Sequence, residues 1–301
     1  IDDSKLTPII LWGKDVRKGV LTSATTNRSM IVSNIDIGPT IMDFFEGLTD
    51  NMSGNSMKFI EKDIDISQVK AINDQINTTS KVRYNSLYYY GFFSIIILAI
   101  FIIQVILRIR FPEKIQALFM VILTQILIMP SIFIMISLLR PKSILEYLIF
   151  LFTSIILSLT ILWLIRKKDN VVFYIGLFST LIVLVDLILK GNISRYSVLS
   201  HDPIIGARYY GIGNEMVGLL LGSLTLLAME VLKKRNGSLL PLILYILSAI
   251  LVAHPSFGAN VGGTIAFVIT IAYFIKEYFD KKLDLKRVIL LFLSVILVIS
   301  I

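Results

Sequence analysis

The chain has no cysteine. That excludes disulfides and thiolate metal sites within it. Histidine is scarce as well, with 2 in 301 residues. Charged residues make up only 17% of the chain, against 55% hydrophobic residues. Soluble globular domains sit near about 45–50% apolar by a similar count. The excess is uneven: residues 1–85 read as ordinary soluble protein, and from Ser86 onward long apolar runs follow one another. About 20 apolar residues in a helix span the ~30 Å hydrocarbon core of a bilayer.

The apolar runs place membrane helices at 87–107, 115–139, 144–165, 171–189, 216–232, 239–253, 261–279 and 288–301. Each is rich in Ile, Leu, Val and Phe, and each is too long for a strand. The fold class is therefore mainly α, a polytopic helical membrane bundle of about 8 helices, with a lipid bilayer as its first partner. Pro130 lies inside the second run and is expected to kink it. The chain starts at Ile1 rather than Met and stops within an apolar run at Ile301, which reads as a fragment cut at both ends.

The net charge is +8. Most of the basic residues lie between apolar runs, where membrane topology places them, so no nucleic-acid partner is expected. With residues 1–86 outside, the inner loops carry 14 lysines and arginines, among them Arg108, Arg110, Arg166, Lys167 and Lys168. The outer loops carry 5: Arg140, Lys142, Lys190, Arg195 and Arg208. The bias places the N-terminal unit on the extracytoplasmic side. Tyr88, Tyr89 and Tyr90 suit an interfacial aromatic belt there. Both histidines fall in loops on that same face.

In the N-terminal unit, residues 7–13 read as a buried strand between Pro8 and Gly13. Residues 30–35 read as a second strand, and 41–46 as a helix stopped by Gly47. Asp36 and Pro39 suit the start of that helix, with Asp36 in a structural role. Residues 51–86 read as a connector with one weak amphipathic stretch around 66–76. So little chain cannot build a core alone, and it is expected to complete a larger domain. The division is 1–50, the end of an α/β domain; 51–86, a connector; and 87–301, the membrane region.

Three stretches carry a resemblance: Pro8-Ile9-Ile10-Leu11-Trp12-Gly13, then Gly19 to Arg28, then Asn34-Ile35-Asp36-Ile37-Gly38-Pro39-Thr40-Ile41. They resemble the closing segment of the alkaline-phosphatase superfamily, where a proline-apolar-glycine strand precedes an Asp-Ile-x-Pro-Thr helix start. Followed by a membrane region with Tyr209-Tyr210-Gly211-Ile212-Gly213-Asn214-Glu215, the order is similar to that of membrane-anchored alkaline-phosphatase-like proteins of Gram-positive bacteria. The resemblance implies a bacterial plasma-membrane location. It also implies phosphoryl or sulfuryl transfer with two divalent metals such as zinc or manganese. The nucleophile and most ligands would lie upstream of Ile1, so no catalytic residue is assigned here. Family members often place a metal-binding histidine just before the proline-led strand. Here that stretch is Asp2-Asp3-Ser4-Lys5-Leu6, without one. No metal ligand is assigned, although Asp2 or Asp3 offers a carboxylate.

The loop from Gly191 to Glu215 is long for a membrane-helix connection. It offers ligand-binding candidates His201, Asp202, Arg208, Tyr209, Asn214 and Glu215, joined by His254 and Asn260 from the next loop on that face. His201 and Asp202 suit acid-base work, and Arg208 suits bidentate grip of a phosphate. A structural account competes for several of them. Asn214 and Asn260 can cap helices, and Glu215 suits a helix N-terminus. Gly218 with Gly222, and Gly258 with Gly262, form G-x-x-x-G pairs for close helix packing. Asp186, an acid inside an apolar run, faces either the bundle interior or the interface. The composite expectation is a membrane protein that acts on or binds a phosphate-bearing or lipid-linked envelope substrate. The alternatives are a transporter or flippase, and a non-catalytic envelope scaffold or sensor.

Overall fold

The computed structural model describes residues 6–13, 16, 18–63, 65–168, 170–202, 204, 209–234 and 238–279. The helix expected at 288–301 lies outside them, as do Asp2, Asp3 and Arg208.

Apolar runs dictate the larger part of the fold. Within a bilayer every backbone N–H and C=O needs a partner inside its own segment, and helices supply it. The long helices are α2 (Ile66–Ile106), α3 (Glu113–Leu138), α4 (Ile144–Ile165), α5 (Val171–Ile188), α6 (Asn214–Lys234) and α8 (Val261–Phe279). These six are long and apolar enough to cross a membrane. The chain is a multi-pass helical membrane protein. A seventh helix, α7 (Leu240–Ala253), has 14 residues, or about 21 Å at 1.5 Å per residue. It is too short to span the core alone, and it buries Tyr245 and Val252 inside the bundle.

The core sits where α5, α6, α7 and α8 meet, around Val183, Leu220, Leu224, Val252 and Phe267, all fully buried. Close approach between helices is set at Gly176 and Gly263. A Cβ on Gly176 would lie 2.9 Å from the Ser223 carbonyl, and one on Gly263 would lie 2.9 Å from Val217 Cγ2. Gly218 and Gly222 are exposed and would meet nothing within 4 Å among the described residues. Gly258 lies in a turn, and Gly262 would touch only Asn260, at 3.7 Å. Spacing alone does not report which helix face looks inward. Hydroxyl pairs cross the same seam, Ser131 to Ser179 at 2.7 Å and Thr180 to Ser223 at 3.1 Å. α3 continues through Pro130.

Residues 66–86, within the stretch read as a connector, form the polar N-terminal half of α2. At 41 residues the helix is about 62 Å long, twice the hydrocarbon thickness. Its first half therefore reaches beyond the hydrocarbon core, where it buries Gln75, Ile76, Thr78 and Thr79. Tyr84, Tyr88 and Phe92 stack along its exposed side, while Tyr90 turns inward against Phe133.

In the N-terminal unit, β1 (Val20–Thr22) pairs antiparallel with β2 (Lys58–Ile60), Leu21 opposite Phe59. The helix α1 (Ile37–Phe44) starts earlier than expected and ends before Gly47. Neither expected strand forms. Residues 7–13 meet no pairing strand among the described residues, and Ile10 and Trp12 are 85% and 94% exposed. Residues 30–35 are broken by Met30 at φ +71° and by a 3-10 turn, Asn34–Asp36. Among the described residues, the α/β content of this unit is two short strands and one helix.

Asp36 holds the unit together. Its carboxylate is fully buried. One oxygen accepts from the Ser23 hydroxyl at 2.7 Å and the Ser33 N–H at 2.8 Å. The other accepts from the Thr25 hydroxyl and from the Asn55 N–H at 3.0 Å. The side chain thus ties the loop after β1 to the segment before β2 and leaves the α1 N–H groups alone.

Candidate binding surface at one end of the bundle

Because successive helices alternate in direction, one end of the bundle collects the connections 139–143, 189–213 and 254–260 together with the middle of α2. Hydrogen bonds between them confirm the grouping. Gln75 Nε2 donates to the Arg140 carbonyl at 3.4 Å, and the Ile212 N–H donates to the Gly258 carbonyl at 2.8 Å.

The 189–213 segment is packed, not loose. Asp186 is 2% exposed, and its Oδ1 accepts from the backbone N–H groups of Ile193 and Ser194 at 2.8 and 2.9 Å. Asp186 therefore faces the interior and fixes the turn after α5. Ser137 donates to the Ile193 carbonyl, and Ser197 donates to the Phe133 carbonyl at 3.0 Å. Val198 and Leu199 are buried beneath. From the other side, Thr79 donates to the Tyr196 carbonyl at 3.1 Å and Arg83 Nε to the Ser200 carbonyl at 3.0 Å.

Three of the expected site residues come together on this platform. Glu215 pairs with Arg83, Oε1 to Nη2 at 3.0 Å. Asp202 takes the Ser80 hydroxyl at 3.1 Å and the Ile204 N–H at 2.8 Å. His201 and Glu215 both crowd Gly213, where a Cβ would lie 3.7 Å from His201 Cε1 and 3.2 Å from Glu215 Oε2. These groups are partly exposed and mix acid, base and hydroxyl. Arg208, the expected phosphate grip, lies outside the described residues.

Asn214, Asn260 and His254 behave differently. Asn260 is 3% exposed. Its Oδ1 caps α8 by accepting from the Gly263 N–H at 2.7 Å, and its Nδ2 donates to the Ile212 carbonyl at 2.9 Å and Asn214 Oδ1 at 3.1 Å. Asn260 and Asn214 therefore form a clamp between the two loops. Gly211 sits in that clamp at φ +84°, where a Cβ would lie 2.5 Å from the Gly258 carbonyl, so only glycine fits. His254 is drawn away from the cluster. Its Nδ1 accepts from the Ser256 N–H at 3.0 Å, closing its own turn, and its ring packs on Phe257.

Sequence reasoning missed Ser80, Arg83, Arg28 and Arg195. Gln75, Thr79 and Arg83 do recur at helical spacing, which marks one face of α2. Arg28 hangs from the loop after β1 and is 5% exposed. Burial pulls its guanidinium down to about 10, and the charge of Arg195 pushes the same way, against the opposing pull of Tyr196 and Tyr209. Tyr209 is thus within electrostatic reach of Arg28.

Among the described residues, no group of three or more His, Asp or Glu side chains could hold a metal ion. A zinc or manganese site is not built from these residues. No family model, curated protein or solved structure matches this chain.

Proposed function

We propose that this membrane protein binds a phosphate-bearing envelope substrate at the loop-rich end of its bundle, and that the N-terminal unit, as part of an alkaline-phosphatase-like domain, acts on it there. The observation that carries the reading is the cluster of His201, Asp202, Glu215 and Arg83 on a hydrogen-bonded platform at that end. The resemblance of residues 8–41 supports the phosphate. The lysine and arginine bias supports an extracytoplasmic face, on a bacterial plasma membrane.

The chemistry available to the chain follows from the cluster. Arg83 presents a fork that matches two phosphoryl oxygens. Glu215 is its resting partner and competes with an incoming anion for it. His201 supplies the imidazole, the side chain suited to exchanging protons near neutral pH.

The test uses the full-length protein in lipid nanodiscs with a phosphomonoester lipid as probe. Replacing His201 or Arg208 with Ala is expected to weaken binding or turnover by about 10-fold or more, the scale of a lost charge-assisted hydrogen bond. Unchanged binding and turnover in both variants would remove the proposal. Binding without turnover would favour the non-catalytic sensor. A transporter or flippase would instead move the lipid between leaflets. The hydroxyl seam through α3, α5 and α6 is the feature that serves that reading, but Ser131, Ser179 and Thr180 are buried and paired.

A further inference from the structure

Three charged side chains of the described residues are buried: Arg28, Asp36 and Asp186. The two acids meet donors, four on Asp36 and two backbone N–H groups on one oxygen of Asp186. Arg28 differs: its Nη1 is buried and meets no hydrogen-bond acceptor among the described residues. Its backbone is nonetheless pinned, with its carbonyl taking the Thr22 hydroxyl at 3.0 Å and its N–H reaching Thr26 Oγ1 at 3.3 Å. The side chain is buried, and its guanidinium meets no counterion among the described residues.

A buried cation without a partner costs several kcal/mol, and native proteins pair such groups. Here the charged neighbour has the same sign. Arg195 acts on Arg28 as a second cation. It is not adrift, because it lies in the Ser194–Tyr196 turn, which Asp186 holds by the Ser194 N–H and Thr79 by the Tyr196 carbonyl. Two neighbouring guanidinium groups, with no acid between them among the described residues, are an unfavourable pair for a folded protein by itself. They are a favourable pair around an oxyanion, since each guanidinium offers a planar fork of donors to it.

We propose that Arg28, from the N-terminal unit, and Arg195, from the bundle, form an oxyanion site at the seam between them, taking a phosphoryl group with Tyr209 at its edge. The choice of phosphate rests on the function proposed above, whereas the arginine pair does not. The site is separate from Arg83, whose guanidinium is engaged by Glu215 and the Ser200 carbonyl. The bound anion would also join the two parts of the molecule, so ligand occupancy and docking of the N-terminal unit are one equilibrium.

The experiment follows the melting temperature of the full-length protein in detergent during titration with inorganic phosphate, with chloride holding ionic strength constant. A parallel series uses nanodiscs with and without phosphatidic acid. Phosphate is expected to raise the melting temperature of the wild type. Arg28→Gln and Arg195→Gln are each expected to weaken the apparent phosphate affinity about 10- to 100-fold, the scale of a lost charge-assisted pair. Arg166→Gln, an exposed arginine at the opposite end of the bundle, is expected to keep it. If phosphatidic acid stabilises the wild type and removes the response to free phosphate, the source is a lipid headgroup; if both respond independently, it is the free ion. A variant with an isosteric apolar chain, Arg28→Met, guards against simple misfolding. In phosphate-free buffer it is expected to melt at or above the wild-type temperature, because it removes an unpaired buried charge. A large fall there would make Arg28 a structural residue and overturn the proposal. So would an absent phosphate and phosphatidic acid response in the wild type, or a response retained in both glutamine variants. Turnover lost in His201→Ala with the phosphate response intact would separate the two sites. The reverse pattern would leave the function standing and remove this one.

Discussion

Asp36→Asn lowers the stability of the N-terminal unit by about 2–4 kcal/mol, the cost of turning buried acceptors against donors. The carboxylate takes four donors, two on each oxygen. An amide keeps one oxygen and replaces the other with an NH₂ group. That group then faces either the Ser33 N–H or the Asn55 N–H, both fixed by backbone. One of the two is left without an acceptor whichever way the amide is turned. The readout is hydrogen exchange at 20–22 and 58–60, the two paired strands, which should quicken together. Exchange unchanged in the variant would mean that Asp36 does not hold these segments.

The same residue gives a pH dependence. Burial raises the Asp36 carboxyl, but the hydrogen bonds from Thr25, Asn55, Ser23 and Ser33 together outweigh it, and the group lies below its ordinary 3.8. A carboxyl depressed on folding contributes stability that is complete above the unfolded value and lost as pH falls through the folded one. Wild-type strand protection should therefore hold down to about pH 4 and fall below it. The Asn variant should lack this step, being weaker throughout.

The second large effect is at Asn260. Its side chain makes three bonds at once, to the Gly263 N–H, the Ile212 carbonyl and Asn214. Asn260→Ala should cost about 2–4 kcal/mol, since it orphans buried partners on two loops. Asn260→Asp separates the two duties. It retains the acceptor that caps α8 but places a carboxylate oxygen against the Ile212 carbonyl and Asn214 Oδ1. If the clamp matters more than the cap, the Asp variant is no more stable than the Ala variant. If the cap is the main duty, Asp restores most of the wild-type melting temperature. Both variants should also loosen Gly211 to Gly213 and weaken ligand binding at His201 and Glu215.

Within the described residues, α3 to α8 were legible in the sequence because one physical requirement, a continuous apolar run, fixes the type of each helix and nearly its ends. The first half of α2 was not, for a reason visible at Gln75, Thr78 and Thr79. These face inward yet are polar, because they pack against the carbonyls of a loop and not against an apolar core. A hydrophobic period cannot reveal a helix whose partner is polar backbone. Residues 7–13 erred the other way: their apolar pattern suits a strand, but a strand also needs a neighbour, which local pattern does not report. Within the candidate site, His201, Asp202 and Glu215 were legible from their loop. Arg83 came from 132 residues away in sequence, and Arg28 from a stretch that looked like a polar turn. Their roles depend on tertiary contact alone.

The account turns on the N-terminal unit and the 189–213 and 254–260 loops sharing one side of the membrane. The absence of cysteine allows a direct test in whole cells with an impermeant thiol reagent. Asp50→Cys and Ser256→Cys mark the unit and the loop-rich end, Lys168→Cys marks the opposite end, and all three positions are exposed. The expected result is that the first two label in intact cells and Lys168→Cys labels only after permeabilisation. Labelling of Asp50→Cys without Ser256→Cys would place the unit and the site on different sides and contradict the account.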